Sequence, residues 1–306
     1  MVEDDPDVVA RTAAFTRVRD LTRTKGHLDS ADLSAGFVFN GERIPLVNPQ
    51  RGIFKPRRFR HLLSIRTVYP KSGARVWYDD QRTVQEQIFQ GADGVDYAFM
   101  GTDPDAADNR WLREAFEQAV PIIYFLGISP GHYEPLIPTF VVDWDRRGLK
   151  ARLAFAEPAA LAPPATEVER RYAMATVKQR LHQARFREAV ITAYDGRCAL
   201  SGFPERRLLD AAHIISDGHE TLGQALVPNG IPLSKLHHAA FDAHLIGIDP
   251  DCRIHVSRRL LDLNDGPTLD AIKRLDGQLL KPPLRERDRP DRDRLAMRFE
   301  AFRKAA

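Results

Sequence analysis

The chain has 306 residues, 43% of them hydrophobic, and its 45 Lys and Arg against 42 Asp and Glu leave a formal net charge of +3. This length exceeds one typical domain and suits two, while a charge so near balance cannot by itself argue nucleic-acid binding. Two cysteines exclude a four-thiolate metal site and suit a reducing compartment, and without a long apolar run or a signal-peptide pattern the expectation is a soluble, cytoplasmic protein with no membrane partner.

From Gly36 to Lys150 short β-rich runs alternate with turns. Strands are predicted at Ile44 to Val47, Leu62 to Tyr69, Ala74 to Tyr78, Ile122 to Ile128 and Thr139 to Trp144, with one helix at Asn109 to Ala119. This spacing suggests a curved sheet or open barrel with few helices. Between Arg51 and Arg75 lie eight Lys or Arg and no acid, interleaved with Phe54, Phe59 and Tyr69. Such a stripe, with Lys55, Arg57, Arg58 and Arg60 at its centre, suits contact with a phosphate backbone; a strand and loop with solvated charges is the alternative.

Residues 156–167 contain EPAALAPPAT, which reads as a semi-rigid linker. They separate an expected domain at 1–155 from a second at 168–306. The second begins with a long predicted helix, Val168 to Ala193. Leu208 to Ile215 is apolar apart from Asp210 and His213 and reads as a strand, on which Asp210 and His213 point to opposite faces and Asp210 shares the face of Ala212. Asn229 and Gly230 suit a tight turn because both tolerate positive φ. Ser234 to His244 is helical, with His238 and Asp242 at i and i+4 on one face. A charged, Pro-containing stretch, Pro282 to Arg294, precedes a closing helix at Asp293 to Lys304. The fold class is α+β.

The second half therefore offers a general base, a side-chain amide at a turn, and an imidazole–carboxylate pair able to hold one side of a divalent cation, with positions left for water and phosphate oxygens. The stretch Cys198 to Asp249 resembles the HNH (ββα-metal, His-Me) endonucleases, in the branch whose last motif ends His-x-x-Phe-Asp, here His238 to Asp242. The resemblance implies that His213 activates the attacking water, that Asn229 holds the His213 segment, and that His238 and Asp242 bind Mg²⁺, or Mn²⁺ or another divalent ion. Many members staple this region with two cysteine pairs around zinc. Only Cys198 and Cys252 are present, so no structural zinc is expected, and both read as ordinary buried thiols. Many members also carry a ligand just before the base, where this chain has Ala212; Asp210 is the candidate substitute. His237 and His244 read as supporting or surface residues, and His219 and His255 have no motif support.

The first half is similar to the SRA-like (PUA-superfamily) reader domains that precede HNH modules in bacterial restriction enzymes. The similarity rests on domain order, the GIFKPRRFR…SIRTVYP run, and Trp-Tyr-Asp-Asp followed by DGVDYAFMGTDP. It implies a pocket for a flipped, modified cytosine, which needs aromatic faces and a carboxylate to accept from the base amine. Trp77, Tyr78, Asp79, Asp96 and Tyr97 supply those types, although Trp77 and Tyr97 fit equally well as sheet core. Together these resemblances imply a modification-dependent restriction endonuclease that cleaves double-stranded DNA containing 5-methylcytosine or a related modified cytosine, leaves 5′-phosphate ends, and works as a homodimer. An HNH nuclease reading unmodified sequence and a non-catalytic DNA-binding protein are the rivals.

Overall fold

The structure, a computed structural model, describes residues 5–69, 84, 87–88, 94–157, 160, 162–219 and 222–305. It is a mixed α+β chain with a curled half-barrel sheet. The chain divides into two compact units, 1–184 and 185–306. No helix among the described residues is long and apolar enough to cross a membrane.

In chain order the first unit contains α1 (Pro6–Lys25), β1 (Leu28–Asp29), α2 (Ser30–Ala35), β2 (Phe37–Phe39), β3 (Glu42–Ile44), β4 (Ile53–Phe54), β5 (Ser64–Thr67), β6 (Val95–Ala98), α3 (Ala107–Glu117), β7 (Ile122–Ser129), β8 (His132–Asp145), β9 (Lys150–Phe155) and the start of α4 (Glu167–Ala193). Seven strands form one sheet in the order β4-β5-β7-β8-β9-β6, with β1 paired to β8. Among the described residues, only the β5–β7 pair of this sheet is parallel. The apolar run of β7 explains why it is central. Ile122, Tyr124, Leu126 and Ile128 enter one core, and Ile123 and Phe125 enter the other. A strand covered on both faces needs no polar alternation. Register shifts in β7–β8 and β8–β9 add local twist, which curls the sheet.

The predicted strand at Thr139 to Trp144 starts earlier, at His132. Pro135 and Pro138 broke the apparent pattern, but Pro135 keeps its place opposite Phe125 in the β7–β8 register. The strand predicted at Ile44 to Val47 lies at Glu42–Ile44, paired with β2. β6 carries no run long enough to read as a strand, and pairs with β9. The strand predicted at Ala74 to Tyr78 lies outside the described residues. The break between units falls inside α4, beyond residues 156–167, because Ala173, Met174, Val177, Leu181 and Ala184 pack into the core of the first unit.

The second unit takes the rest of α4, then β10 (Leu209–His213), a 3₁₀ turn (Val227–Asn229), β11 (Gly230–Ser234), α5 (Lys235–Asp242), β12 (Ile246–Ile248), β13 (Ile254–Val256), α6 (Arg258–Leu261), α7 (Gly266–Lys273) and α8 (Arg292–Ala305). β10 and β11 form an antiparallel ribbon in which Asp210 faces Leu233 and His213 faces Gly230. Ser234 caps α5 by accepting from the His237 N–H. α8 closes over β12 so tightly that a Cβ on Gly247 would stand 2.5 Å from the Phe302 ring. Ile191, Cys198, Leu209, Ala212, Ile231, Phe241 and Leu295 are among the buried residues that bind these elements into one core.

Candidate active site

His213 closes β10, and its ring stacks on Phe186 of α4 at 4.0 Å between centroids and 15° between planes. Its Nε2 is buried without a hydrogen-bond partner. Burial holds its pKa below the ordinary imidazole value, the neighbouring His238 adds to that, and Asp217 and Asp242 oppose it. The ring is therefore neutral near pH 7 and keeps a lone pair, which is the state a general base requires.

Asn229 is fully buried. Its Oδ1 accepts from the Ile215 N–H at 2.9 Å, and its Nδ2 donates to the carbonyls of Ile215 at 3.0 Å and Gln224 at 3.1 Å. The amide thus fixes the main chain two residues beyond His213. The expected positive-φ turn at Asn229 and Gly230 is not what forms: Gly230 lies in extended backbone at φ −134°, and Asn229 ends a 3₁₀ turn. Glycine is needed there for space. A Cβ on Gly230 would meet Val190 Cγ2 at 2.5 Å and Phe186 Cζ at 2.7 Å. Close approach of β11 to α4 is what seats Phe186 against His213.

His238 stands between two carboxylates, with Nδ1 3.7 Å from Asp210 and Nε2 3.3 Å from Asp242. The neighbouring Asp210 carboxylate raises the His238 pKa, burial opposes it, and Asp242 adds to the rise. The Asp210 carboxyl is correspondingly held below the usual range, first by His238 and also by Arg187. Arg187 of α4 lies 3.7 Å from Asp210 and donates to the carbonyls of Arg206 and Leu209, which pins the start of β10. The two carboxylates meet different nitrogens of the ring, so Asp242 is the oxygen donor beside Nε2 and Asp210 the one beside Nδ1, and an imidazole–carboxylate pair of this kind suits Mg²⁺ or Mn²⁺ with water completing the shell.

Alternation puts Asp210 and His213 on opposite faces of β10, whose register with β11 runs without a shift. Leu209 and Ala212, three residues apart, are both fully buried, whereas Asp210, Ala211 and His213 are half-exposed. Burial along β10 thus does not follow a strict in–out alternation. Asp210 therefore does not share the environment of Ala212, and both Asp210 and His213 feel the charge of His238.

Cys198 is not an ordinary buried thiol. Its Sγ lies 3.3 Å from His237 Nδ1 and accepts from the Ser234 N–H at 3.3 Å. Burial pushes the thiol up, but the hydrogen bonds from His237, Ser201 and Ser234 prevail and bring it to about 6. Cys252 is half-buried, and burial pushes its thiol up. His255 bonds Asp249 at 2.9 Å, and His219 accepts from the Leu222 N–H, so both have local structural roles. His244 lies two residues beyond the end of α5, at φ 54°.

The first unit arranges its predicted contacts less simply. Trp77, Tyr78 and Asp79 lie outside the described residues. Asp96 and Tyr97 occupy alternate positions of β6. Asp96 pairs with Lys150 at 2.7 Å and Arg152 at 3.1 Å, whereas Tyr97 is buried and directs its hydroxyl to the Arg66 carbonyl. A cavity of about 160 Å³ is lined by Gln50, Arg51, Arg66, Thr67, Tyr97 and Phe99, among others. In the basic stripe, Arg58 pairs with Glu42, Arg60 with Asp5, and Arg51 with Asp108. Lys55 lies over the Trp111 ring, and Arg57 is exposed.

Phe186, Arg187 and Arg298 are the site residues that the motif did not disclose. They come from helices outside Cys198 to Asp249, and no spacing links them to it. Residues 198–249 match the family model described as HNH endonuclease. A solved structure described as "Modification dependent TagI restriction endonuclease" is similar at 16% identity, covering 92% of this chain and 88% of that one, with a TM-score of 0.31. No curated protein matches.

Proposed function

We propose that the chain is a divalent-metal-dependent DNA endonuclease acting on double-stranded DNA that contains 5-methylcytosine or a related modified cytosine. The compact unit of residues 1–184 reads the DNA, and that of residues 185–306 cuts. The observation that carries the nuclease reading is His213: a ring kept neutral by burial, oriented by Phe186, with Nε2 unpaired and both His238 and Asp242 within its electrostatic reach.

His213 Nε2 takes the proton of the attacking water, and the Asn229 amide keeps the segment that bears His213 from moving as it does so. His238 and Asp242, with Asp210, are the residues that would hold the ion. When bound, Mg²⁺ or Mn²⁺ supplies Lewis-acid stabilisation of charge on the phosphate and the departing 3′ oxygen. The products are 5′-phosphate and 3′-hydroxyl ends. One such site cuts one strand, so a double-strand break calls for a homodimer.

The reader assignment is supported by the cavity beside Tyr97, where two aromatic rings and hydrogen-bonding side chains offer the groups an extrahelical base needs. Arg57 and Lys55 are the backbone contacts least committed to internal acids. Arg58 and Arg60 would exchange an internal carboxylate for a phosphate.

The test is digestion of one plasmid with and without cytosine methylation, with Mg²⁺ or Mn²⁺ and with the ends sequenced. The expected result is cleavage of the methylated plasmid, and a His213→Ala variant that still binds DNA but no longer cuts. Equal cutting of both plasmids would replace the modified-cytosine reading with sequence recognition. Absence of nicking with either metal would leave a DNA-binding protein.

A further inference from the structure

The C-terminal helix reaches back to the cluster of α5. Arg298 of α8 lays its guanidinium over the Phe241 ring at 4.6 Å and donates from Nη2 to the Phe241 carbonyl at 3.0 Å. The same nitrogen lies 3.4 Å from Asp242 Oδ1. The arrangement is one-sided: the Arg298 side chain is 20% accessible, whereas that of Asp242 is 60% accessible.

Asp242 is the last residue of an eight-residue helix. Helix ends fray, their last carbonyls lack intrahelical partners, and an exposed carboxylate samples several rotamers. Arg298 acts on all three. It takes one carbonyl of the final turn, rests on the ring that anchors that turn, and holds Oδ1. With Oδ1 gripped, Oδ2 is the oxygen left toward the imidazole, 3.3 Å from His238 Nε2. An arginine that served only to cap the helix would need the carbonyl and not the carboxylate.

We propose that Arg298 is a positioning residue that presents Asp242 to the divalent ion, so that the working site includes α8 and is incomplete within residues 198–249. The proposal rests on the HNH reading of His238 and Asp242 as metal ligands. Partners that orient a ligand are commonly worth ten- to a hundred-fold in metal affinity or activity.

The experiment uses the full chain and Mn²⁺ alone, read by isothermal titration calorimetry, so it does not depend on cleavage. Arg298→Met keeps the apolar stem on Phe241 and removes the fork. It is expected to remain folded by circular dichroism and to bind Mn²⁺ about ten-fold more weakly. Asp242→Asn should lose at least as much, and Arg298→Met added to Asp242→Asn should lose nothing further, because the two act through one oxygen. Cleavage, measured in parallel, should fall in kcat at unchanged KM for DNA. Wild-type Mn²⁺ affinity in folded Arg298→Met, or losses that multiply in the double variant, would overturn the proposal. Should the Met variant fail to fold, Arg298→Lys keeps a cation on the ring without the fork. It is expected to show the same weakened Mn²⁺ binding, and wild-type binding would overturn the idea. A wild-type chain that binds Mn²⁺ and never cuts DNA would reject the nuclease reading while the coupling of Arg298 to Asp242 is still decided by the titrations.

Discussion

The tightest steric constraint in the site is at Gly230, and Gly230→Ala tests it directly. The backbone there is extended, so alanine is conformationally acceptable, and the unfolded-state effect of the change favours alanine by about 0.4–1 kcal/mol. What opposes it is space: the new Cβ would stand 2.5 Å from Val190 Cγ2 and 2.7 Å from Phe186 Cζ. Each must retreat by roughly 1 Å to reach ordinary carbon–carbon contact. Both belong to one rigid helix, so the retreat is a shift of helix or ribbon, and overpacking of this kind costs about 1–3 kcal/mol. A net loss of about 1–2 kcal/mol leaves a domain of ordinary stability folded. The catalytic effect is larger, because the displaced ring is the one that stacks on His213, and a misplacement of about 1 Å can cost on the order of a hundred-fold in rate. Urea denaturation followed by a probe in the second unit, together with a nicking assay, reads both quantities. Wild-type stability and wild-type nicking in Gly230→Ala would refute the argument that glycine is there to bring Phe186 against the base. Adding Phe186→Leu to Gly230→Ala relieves only the ring's share of the clash, since Val190 still stands in the way, so it should recover part of the stability and none of the rate.

Asn229→Ala leaves the Ile215 N–H and two carbonyls without their buried partner, so a loss of about 3 kcal/mol or more is expected; a loss under about 1 kcal/mol by denaturant titration would show that water replaces the amide. The pH profile of cleavage should have an acid limb below about 6.5, because burial lowers the His213 pKa and the protonated ring cannot act as base. His238 is shifted the other way, so a limb due to it would move to lower pH as Mn²⁺ is raised, whereas a limb due to His213 would stay; movement with Mn²⁺ would count against the base assignment. In the first unit, burial raises the Glu134 carboxyl to about 7 although Arg180 opposes the shift. A carboxyl raised above its unfolded value favours folding most when protonated, so this contribution is full below about pH 4 and is lost as pH rises toward 7. Calorimetry should therefore show the first unit losing stability between pH 5 and 8, with a flatter profile in Glu134→Gln; parallel profiles would exclude Glu134 as the cause.

Much of the second unit was legible because its signals are local. The apolar run at Leu209 marks a strand, Ser234 at the N-cap marks the start of α5, and the i, i+4 spacing of His238 and Asp242 puts both on one helix face wherever that helix packs. The α+β class and the central strand at Ile122 likewise follow from periodicity in short windows. Other features arise where distant segments meet. Asn229 and Gly230 read as a turn pair, but their actual parts, an amide clamp on Ile215 and a clearance for Phe186, exist only once β11 lies against α4. Asp210 and His213 read as facing opposite sides of β10, but their burial and the charges they meet depend on what packs against the two-stranded ribbon. Phe186, Arg187 and Arg298 reach the site from helices before and after the motif, and a side chain's identity carries no record of which distant ring or carboxylate it will meet. The sequence by itself determined which groups could carry the chemistry, because residue type and near-neighbour spacing are covalent facts. Only the tertiary structure decided how those groups are oriented and charged, because burial, stacking and ion pairing depend on through-space distances between elements far apart in the chain.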